Sequence, residues 1–413
     1  MIRVIISKDK IRCISSFGLG FLLLANFYLI PWLEKTPRAT DVLGFLLGVW
    51  LIWVFLTKGL KPLVLCIMGA LAIPFILWGL YSVGIGDFAT TVLSVRWLLA
   101  LPWAYALYSL TYKPGTRQYL LWGMWWGAVF NLIVMGLQYL GYAEVLQNIG
   151  LAAQDSAHSS IYGQFRTPGM HGHPNGGIAV VSIIIPLSLY MVFIERKRLW
   201  VLFISLAILF LGGVFTSTRS AVLVSLVCIL TVLMLNFKWK RTLKLVAMLF
   251  ICGSLVLSFI GPPGGWNRWL DERNLSVNSS ERFLSTKVSL ALALEYPLGL
   301  GVESAEQQLI QHSSIAATHN AFTHTAMLFG ILVSALLLVF MVYLSALLVF
   351  RLRNSWFIES ILALHLLGLF FFEEHHNNPT FIILSCWLIV AGIHLFKYLF
   401  RYIGDHPYEK NLY

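Results

Sequence analysis

Charge is what this sequence has least of. Asp, Glu, Lys and Arg together make up 11% of its 413 residues, against 58% hydrophobic residues and a mean hydropathy of +0.79. A soluble domain of this length carries about a quarter charged residues. So little charge cannot cover a water-facing surface, which excludes an ordinary soluble enzyme and makes lipid the solvent for most of the exterior. Acidic residues are scarcer still, 18 against 29 Lys and Arg, for a formal charge of +11. In a soluble protein that excess would point to nucleic acid. Here the basic residues are split among short connections between apolar runs, which is a topology signal, and no nucleic-acid partner is expected. The five cysteines (Cys13, Cys66, Cys228, Cys252, Cys386) show no CxxC spacing and none lies in a long loop. They read as small buried apolar residues, not as disulfides or metal ligands. No HExxH or HxxxH pattern occurs on a helix, so no metal site and no cofactor is expected. No short repeat or low-complexity segment breaks the chain, and residues 1–413 read as one integral membrane domain.

What is present is a series of apolar runs. A span needs about 20 mostly apolar residues. Twelve candidates meet that length: 14–33, 41–57, 62–82, 92–111, 118–140, 175–194, 199–215, 219–236, 243–260, 320–350, 356–372 and 379–400. The expected architecture is an all-α, polytopic transmembrane helix bundle. No small-residue cleavage site interrupts the first run, so it reads as an uncleaved helix and not as a signal peptide. The run at 320–350 is too long for one crossing and is expected to begin above the membrane surface or to be tilted. With the N-terminus inside, 20 of the 29 Lys and Arg fall on the inner side, in short loops where the positive-inside rule applies. Both termini are therefore expected in the cytoplasm. The outer side holds two longer segments, 141–174 and 261–318. In the second, Asn278 with Glu281 is expected to cap a helix running from Arg282 to Glu295, stopped by Tyr296-Pro297.

The chemically capable residues gather on that outer side. Arg96 and Arg219 each stand near the outer end of a span, where a charge costs several kcal/mol unless something answers it. Either the guanidinium snorkels to the interface or it belongs to an anion site. Arg219 sits in Thr216-Ser217-Thr218-Arg219-Ser220, where hydroxyls, a guanidinium and a helix N-terminus make a good oxyanion site. Arg282 follows Ser279-Ser280-Glu281 in the loop helix. In Thr318-His319-Asn320, Thr318 is a candidate N-cap that would put His319 in the first turn of the tenth span. There the positive helix end would keep the ring neutral and able to accept a proton. Arg166, His171 and His173 lie in the first outer segment, and His375 and His376 follow Glu373 and Glu374 between the last two spans. All are expected to line an outer vestibule, and Trp266 and Trp269 are candidates to stack on sugar rings.

In order, the chain has Thr-Ser-Thr-Arg219-Ser-Ala opening a span, then Ser-Ser-Glu-Arg282 in a large outer loop. Glu295-Tyr-Pro-Leu-Gly-Leu-Gly301 follows, and last His319-Asn320, nine residues and Gly330. This pattern resembles the bacterial O-antigen ligase and O-antigen polymerase superfamily. Residues 200–345 carry the resemblance, and Pro174-Asn175 before the sixth span agrees with it. The resemblance implies a GT-C-like bundle of about twelve spans with a large periplasmic loop, 261–318, containing short helices. It implies an enzyme of the bacterial inner membrane that moves a glycan from undecaprenyl diphosphate to a sugar hydroxyl on the periplasmic face, without a metal. Arg219 and Arg282 match the family's arginines and His319 its histidine. Arg96, Arg166, Thr218, Ser220, Asn320 and His173 are the expected substrate-binding residues around them. The physics agrees. Arginines can hold a diphosphate bidentately and stabilise charge on the leaving oxygen. The acceptor hydroxyl needs a base. Direct displacement would invert the anomeric centre. One departure is that Asn320 is followed by Ala321-Phe322-Thr323-His324, where relatives often carry a leucine-rich or acidic continuation; this bears on the acceptor. The His-Asn-to-Gly spacing favours a ligase with lipid A-core as acceptor. The alternatives are a polymerase with a growing glycan as acceptor, and a transferase acting on a protein. From a different class comes a transporter or flippase, which would place ionisable or broken-helix sites at the bilayer midplane and show internal repeats. The midplanes look almost free of charge and no repeat of halves is visible.

Overall fold

In the computed structural model the described residues are 8–30, 37–59, 62–152, 166–235, 272–313, 318, 320–348, 357–372 and 378–405. They are helical almost throughout, and the only β feature among them is a single bridge between Tyr28 and Arg38. The helices are α1 Lys8–Leu24, α2 Ala39–Lys58, α3 Pro62–Ile85, α4 Phe88–Thr111, α5 Pro114–Tyr139, α6 Ala143–Asn148, α7 Pro174–Ser182 and α8 Ile184–Phe193. They continue with α9 Trp200–Thr216, α10 Ser220–Leu235, α11 Glu272–Glu295, α12 Val302–Ser313, α13 Ala321–Phe329, α14 Ile331–Ala346, α15 Phe357–Phe372 and α16 Pro379–Asp405. Four stretches are long and apolar enough to cross a membrane: Ala39–Thr57, Cys66–Ile85, Gly115–Tyr139 and Pro174–Phe193. Shorter apolar helices lie among α9, α10 and α14 to α16. The expected span 243–260 lies outside the described residues, as do Trp266, Trp269 and Glu373 to His376.

Three expected spans differ from the runs that predicted them. The first, expected at 14–33, begins at Lys8 and ends at Leu24. Beyond Leu24 the chain has other partners: Asn26 Oδ1 accepts from the Thr40 N–H and hydroxyl, and the Tyr28 N–H donates to Gly150 O. The sixth changes its hydrogen bonding at Ile183, between α7 and α8, but that residue keeps helical angles, φ −58° and ψ −23°, and Pro174–Phe193 remains one apolar stretch. Pro186 has no N–H for the carbonyl of Ser182 four residues earlier, and its ring crowds that carbonyl. The run at 320–350 is neither one tilted helix nor one that projects from the surface. It is α13 and α14, separated at Gly330. Nor does Asn278 cap the loop helix: α11 starts at Glu272, so Asn278 lies inside it, while the stop after Glu295 holds. A mid-helix Asn costs only a fraction of a kcal/mol, too little to start a helix against favourable neighbours.

α1 lies directly on α5. Their contact is built from Gly20, Gly123 and Gly127, and a β-carbon at Gly127 would sit 2.6 Å from the Phe21 carbonyl oxygen. Gly123 and Gly127 are four residues apart, the small-residue spacing that lets two membrane helices touch backbone to backbone. On the other flank α2 and α3 present Leu56 and Leu80 outward, 75% and 68% exposed, as side chains facing hydrocarbon would be. Cys66 is also exposed, on that same flank, whereas Cys228 and Cys386 are buried. The buried reading therefore fails for Cys66, because an apolar side chain gains nothing by leaving a lipid-facing surface. At the end opposite the candidate site, Arg117 lies over the Tyr190 ring at 5.4 Å. Burial pushes the neighbouring Glu195 carboxyl up, against the pull of Lys197 and Arg117. Gly127→Val should force α1 off α5 and cost about 1–3 kcal/mol, as overpacking does. The check is thermal unfolding of the detergent-solubilised protein, with Gly84→Val as the control, since nothing stands within 4 Å of a β-carbon there.

Candidate active site at one end of the bundle

One end of the bundle gathers the ends of α1, α5, α9 and α15 and the starts of α7, α10 and α16. The segment leading into α7 is fixed there from several sides. Gln138 on α5 grips Gly169 twice, Nε2 to its carbonyl at 3.0 Å and Oε1 from its N–H at 2.8 Å. Asn131 Oδ1 accepts from Met170 N at 2.9 Å. The buried His171 ring bridges two further elements, with Nε2 at 3.3 Å from the Leu24 carbonyl and Nδ1 at 3.4 Å from Asn378 Nδ2. The Leu24 carbonyl can only accept and the amide nitrogen can only donate, so this ring is neutral with its proton on Nε2.

Arg166 ties the same segment to the turn between α9 and α10. Its Nε donates to Thr216 O at 2.8 Å, and one terminal nitrogen donates to Asn175 Oδ1 at 2.7 Å and Thr218 Oγ1 at 2.9 Å. Arg166 is 4% exposed. Those acceptors are neutral, so they orient the guanidinium without cancelling its charge. The turn is tight because Ser217 closes α9 in the left-handed conformation, φ +51°. Arg219, half-buried, immediately precedes Ser220, the first residue of α10. His173 is the N-cap of α7, its Nδ1 accepting from Asn175 N at 3.3 Å, and its ring is exposed. Arg96 has a carboxylate partner instead: its Nε lies 3.6 Å from Asp41 Oδ2 on α2.

The second half of the site hangs on Gly330. Its φ of +98° is open to glycine and strained for any other residue. Here the chain reverses so sharply that the Ser334 hydroxyl donates to Phe322 O at 2.6 Å. In a continuous helix those residues would stand about 18 Å apart along the axis. The break strands carbonyls at the end of α13 and an N–H at the start of α14. Leu300 N donates to Met327 O at 2.8 Å, Gly301 N to Leu328 O at 3.1 Å, and Ile331 N to Pro297 O at 3.0 Å. The Glu295–Gly301 motif and the Gly330 of the last motif are therefore two sides of one backbone junction. Gly299, φ +96°, permits the approach, since a β-carbon there would come within 2.7 Å of Gly330 N. Asp87 pins the far side: its carboxylate caps α4 through Thr90 N, while the Thr90 hydroxyl accepts from Val302 N at the start of α12.

α13 is buried along most of its length, and its cap lies two residues later than the sequence suggested. Asn320 is its N-cap, with Oδ1 accepting from Phe322 N at 3.0 Å and Thr323 N at 3.1 Å. Thr318 does not cap it, because the Asn320 side chain, one atom longer than that of Thr, reaches both free amides. His319 itself lies outside the described residues. Arg282, half-buried on α11, donates from Nη1 to Phe372 O at the end of α15, 2.9 Å away. Seven residues along α11 the Ser289 hydroxyl donates to Thr323 Oγ1 at 3.0 Å. So the helix bearing Arg282 and the helix that follows His319 are joined twice, at Ser289–Thr323 and at the Gly330 junction. The segment before α7 and α11 also reach the residues that flank the α15–α16 connection, Arg282 at Phe372 and His171 at Asn378. Sequence reasoning missed Asp41, Asp87, Ser289 and His324. A carboxylate within one turn of a helix start, as at Asp41 and Asp87, was the signal available for the first two. Among the described residues no three of His, Cys, Asp and Glu converge as a metal site would require.

Residues 204–338 match the protein family described as O-antigen ligase. The match covers about a third of the chain. The match begins within α9 and ends within α14, and so takes in Arg219, Arg282, the Glu295–Gly301 motif, His319 and Gly330. No curated protein matches the chain. The O-antigen ligase domain and the apolar helices together support a multi-pass membrane glycosyltransferase of ligase or polymerase type. Arg166 and Asn175 stand outside the matched segment yet hydrogen-bond into it. Gly330→Ala should cost about 1–3 kcal/mol from backbone strain alone. Its activity should fall further than that of Gly69→Ala, where no atom stands within 4 Å of the added carbon; both are read by thermal unfolding and by transfer assay. Arg166→Lys keeps the charge but cannot reach three acceptors in one plane. It should lower the unfolding temperature, and equal stability to wild type would leave ligand binding as the role of Arg166.

Proposed function

We propose that this protein is an O-antigen ligase: it moves a glycan from undecaprenyl diphosphate to lipid A-core, on the periplasmic face of the bacterial inner membrane, with both termini in the cytoplasm. The observation that carries this reading is the joining of the family's separated motifs through the backbone junction at Gly330, at the end of the bundle that holds the arginines. In the proposed reaction Arg219 and Arg282 hold the diphosphate and stabilise the charge that builds on the leaving oxygen. Thr218, Ser220 and the N-terminus of α10 extend that oxyanion site. His319 takes the proton of the acceptor hydroxyl as that oxygen attacks the anomeric carbon. The carbon–oxygen bond to diphosphate breaks in the same step, so the configuration inverts and no group on the protein is alkylated. Arg96, Arg166, Asn320 and His173 shape the surrounding surface. Two arginines can supply the charge that a divalent metal would otherwise bring.

The test is transfer by the purified protein in detergent, with undecaprenyl-diphosphate-linked glycan as donor and lipid A-core as acceptor. Product on lipid A-core supports the ligase. A ladder on the carrier lipid would make the protein a polymerase of the same superfamily, and dependence on an ion gradient in vesicles, with no product in detergent, would make it a transporter. Arg282→Ala should lower kcat by about 10²–10³-fold, the size of losing one electrostatic contact to a developing charge. His319→Ala should lower it by about 10²–10⁴-fold and remove the limb of the pH–rate profile that belongs to the base. A chelator should leave the wild-type rate unchanged; inhibition reversed by added metal would sink the metal-free reading.

A further inference from the structure

Four residues beyond Asn320, in the stretch where this chain departs from its family's pattern, lies His324. It is 2% exposed, and its Nδ1 stands 3.3 Å from the hydroxyl of Thr318, which is itself fully buried. The Thr318 hydroxyl also donates its proton to Asn320 O at 3.0 Å and lies 3.4 Å from Asn320 N. Its only proton is thus committed to a carbonyl, so the hydrogen shared with the ring must come from the imidazole, and His324 carries its proton on Nδ1. Thr318 and Asn320 are the two neighbours of His319. Both are held: Asn320 by its cap bonds to Phe322 N and Thr323 N, Thr318 by its bonds to Asn320 and His324. Thr318 and Asn320, on either side of the proposed base in sequence, are thus hydrogen-bonded to each other and, through Thr318, to His324. His324 is a side chain from the second turn of a helix that is buried and anchored at both ends.

We propose that His324 is a positioning residue for the transfer reaction: through Thr318 it fixes the main chain on which His319 is carried. It touches no substrate and exchanges no proton in the reaction; its role is to donate one hydrogen bond from Nδ1. This rests on the ligase or polymerase reading of the site. The chemistry gives a sharp pattern of replacements. Asn places an amide nitrogen, which donates, near the position of Nδ1. Phe fills the volume and donates nothing. Thr318→Val removes the acceptor from the other side with almost no change of shape.

The experiment is the same detergent transfer assay, with kcat and the acceptor KM measured separately, alongside hydrogen exchange of the 318–324 backbone followed by mass spectrometry. Expected are a fall in kcat of about 10–100-fold for His324→Phe and for Thr318→Val, the size of a small misplacement of a catalytic group. The acceptor KM should stay unchanged, exchange in 318–324 should be faster, and His324→Asn should restore most of the rate and the slow exchange. The Thr318→Val/His324→Phe pair should be no worse than either single change, because both break one bond. Wild-type kcat and wild-type exchange in His324→Phe and Thr318→Val would overturn the proposal, as would a loss confined to KM. If His324→Phe does not fold, Thr318→Val decides alone. If the wild-type protein transfers nothing, the functional reading fails, and the exchange measurement still decides whether His324 holds the turn.

Discussion

In hydrocarbon every backbone N–H and C=O must find a partner inside the protein, because no water is there to offer one. The reversal at Gly330 takes its form from this constraint. A helix broken in an apolar run exposes carbonyls on one side and an N–H on the other, each costing several kcal/mol if left unpaired. Here they are met by Pro297, Leu300 and Gly301, in the segment that follows α11. The two motifs are thus complementary halves of one structure, and neither has a stable conformation in lipid without the other. Glycine is required at 299 and 330 for the same reason: both positions need positive φ, and both need the opposing backbone closer than a β-carbon allows.

The end of the bundle that holds the arginines depends on the same accounting, carried out by side chains. Asn131, Gln138 and Asn378 are amides that offer both a donor and an acceptor, and they bind backbone groups there, while Asn175 Oδ1 accepts from Arg166 and Thr218. Arg166 binds backbone with a cation, whereas Arg96 pairs with the Asp41 carboxylate. A guanidinium held by neutral groups still attracts an anion, whereas one 3.6 Å from a carboxylate attracts it less.

The helical class, most of the apolar runs and the gathering of polar groups at one end were legible in the sequence, because hydropathy and loop charge report directly on transfer to lipid. The order of motifs was legible too, and the family match agrees with it. What stayed hidden follows from how little a one-dimensional pattern says about reversal. The run 320–350 has the hydropathy of one long span, and a glycine inside such a run is common; only the partner segment 297–301 turns that glycine into a corner. The change of hydrogen bonding at Ile183 was readable in principle from Pro186, whose ring acts four residues upstream. The cap at Asn320 was misread because Thr318 and Asn320 are both good cap residues, and the choice between them is made by the reach of Asn Oδ1 to two amides. Arg96 and Arg166 were visible as charges, but their partners Asp41, Thr216 and Thr218 lie tens of residues away.

The break also bears on what class of protein this is. Helices interrupted within the membrane are the usual way a transporter exposes backbone groups to its cargo, so the corner at Gly330 removes one part of the case against transport that hydropathy alone had made. What matters is where the freed groups point. At Gly330 the carbonyls of Met327 and Leu328 and the N–H of Ile331 are each taken by the backbone of 297–301. Beside Ile183, the Ser182 hydroxyl donates to Ala179 O at 2.6 Å and meets His365 Nε2 at 2.9 Å in the bundle core. An ion or solute would have to displace these bonds to bind there. A corner whose bonds are closed acts as a rigid support, and at the other end of the helix it supports is the cap Asn320, next to His319 in sequence. Rigidity is what a transferase needs of its scaffold, since a hydroxyl, a base and an anomeric carbon must be held in line for direct displacement.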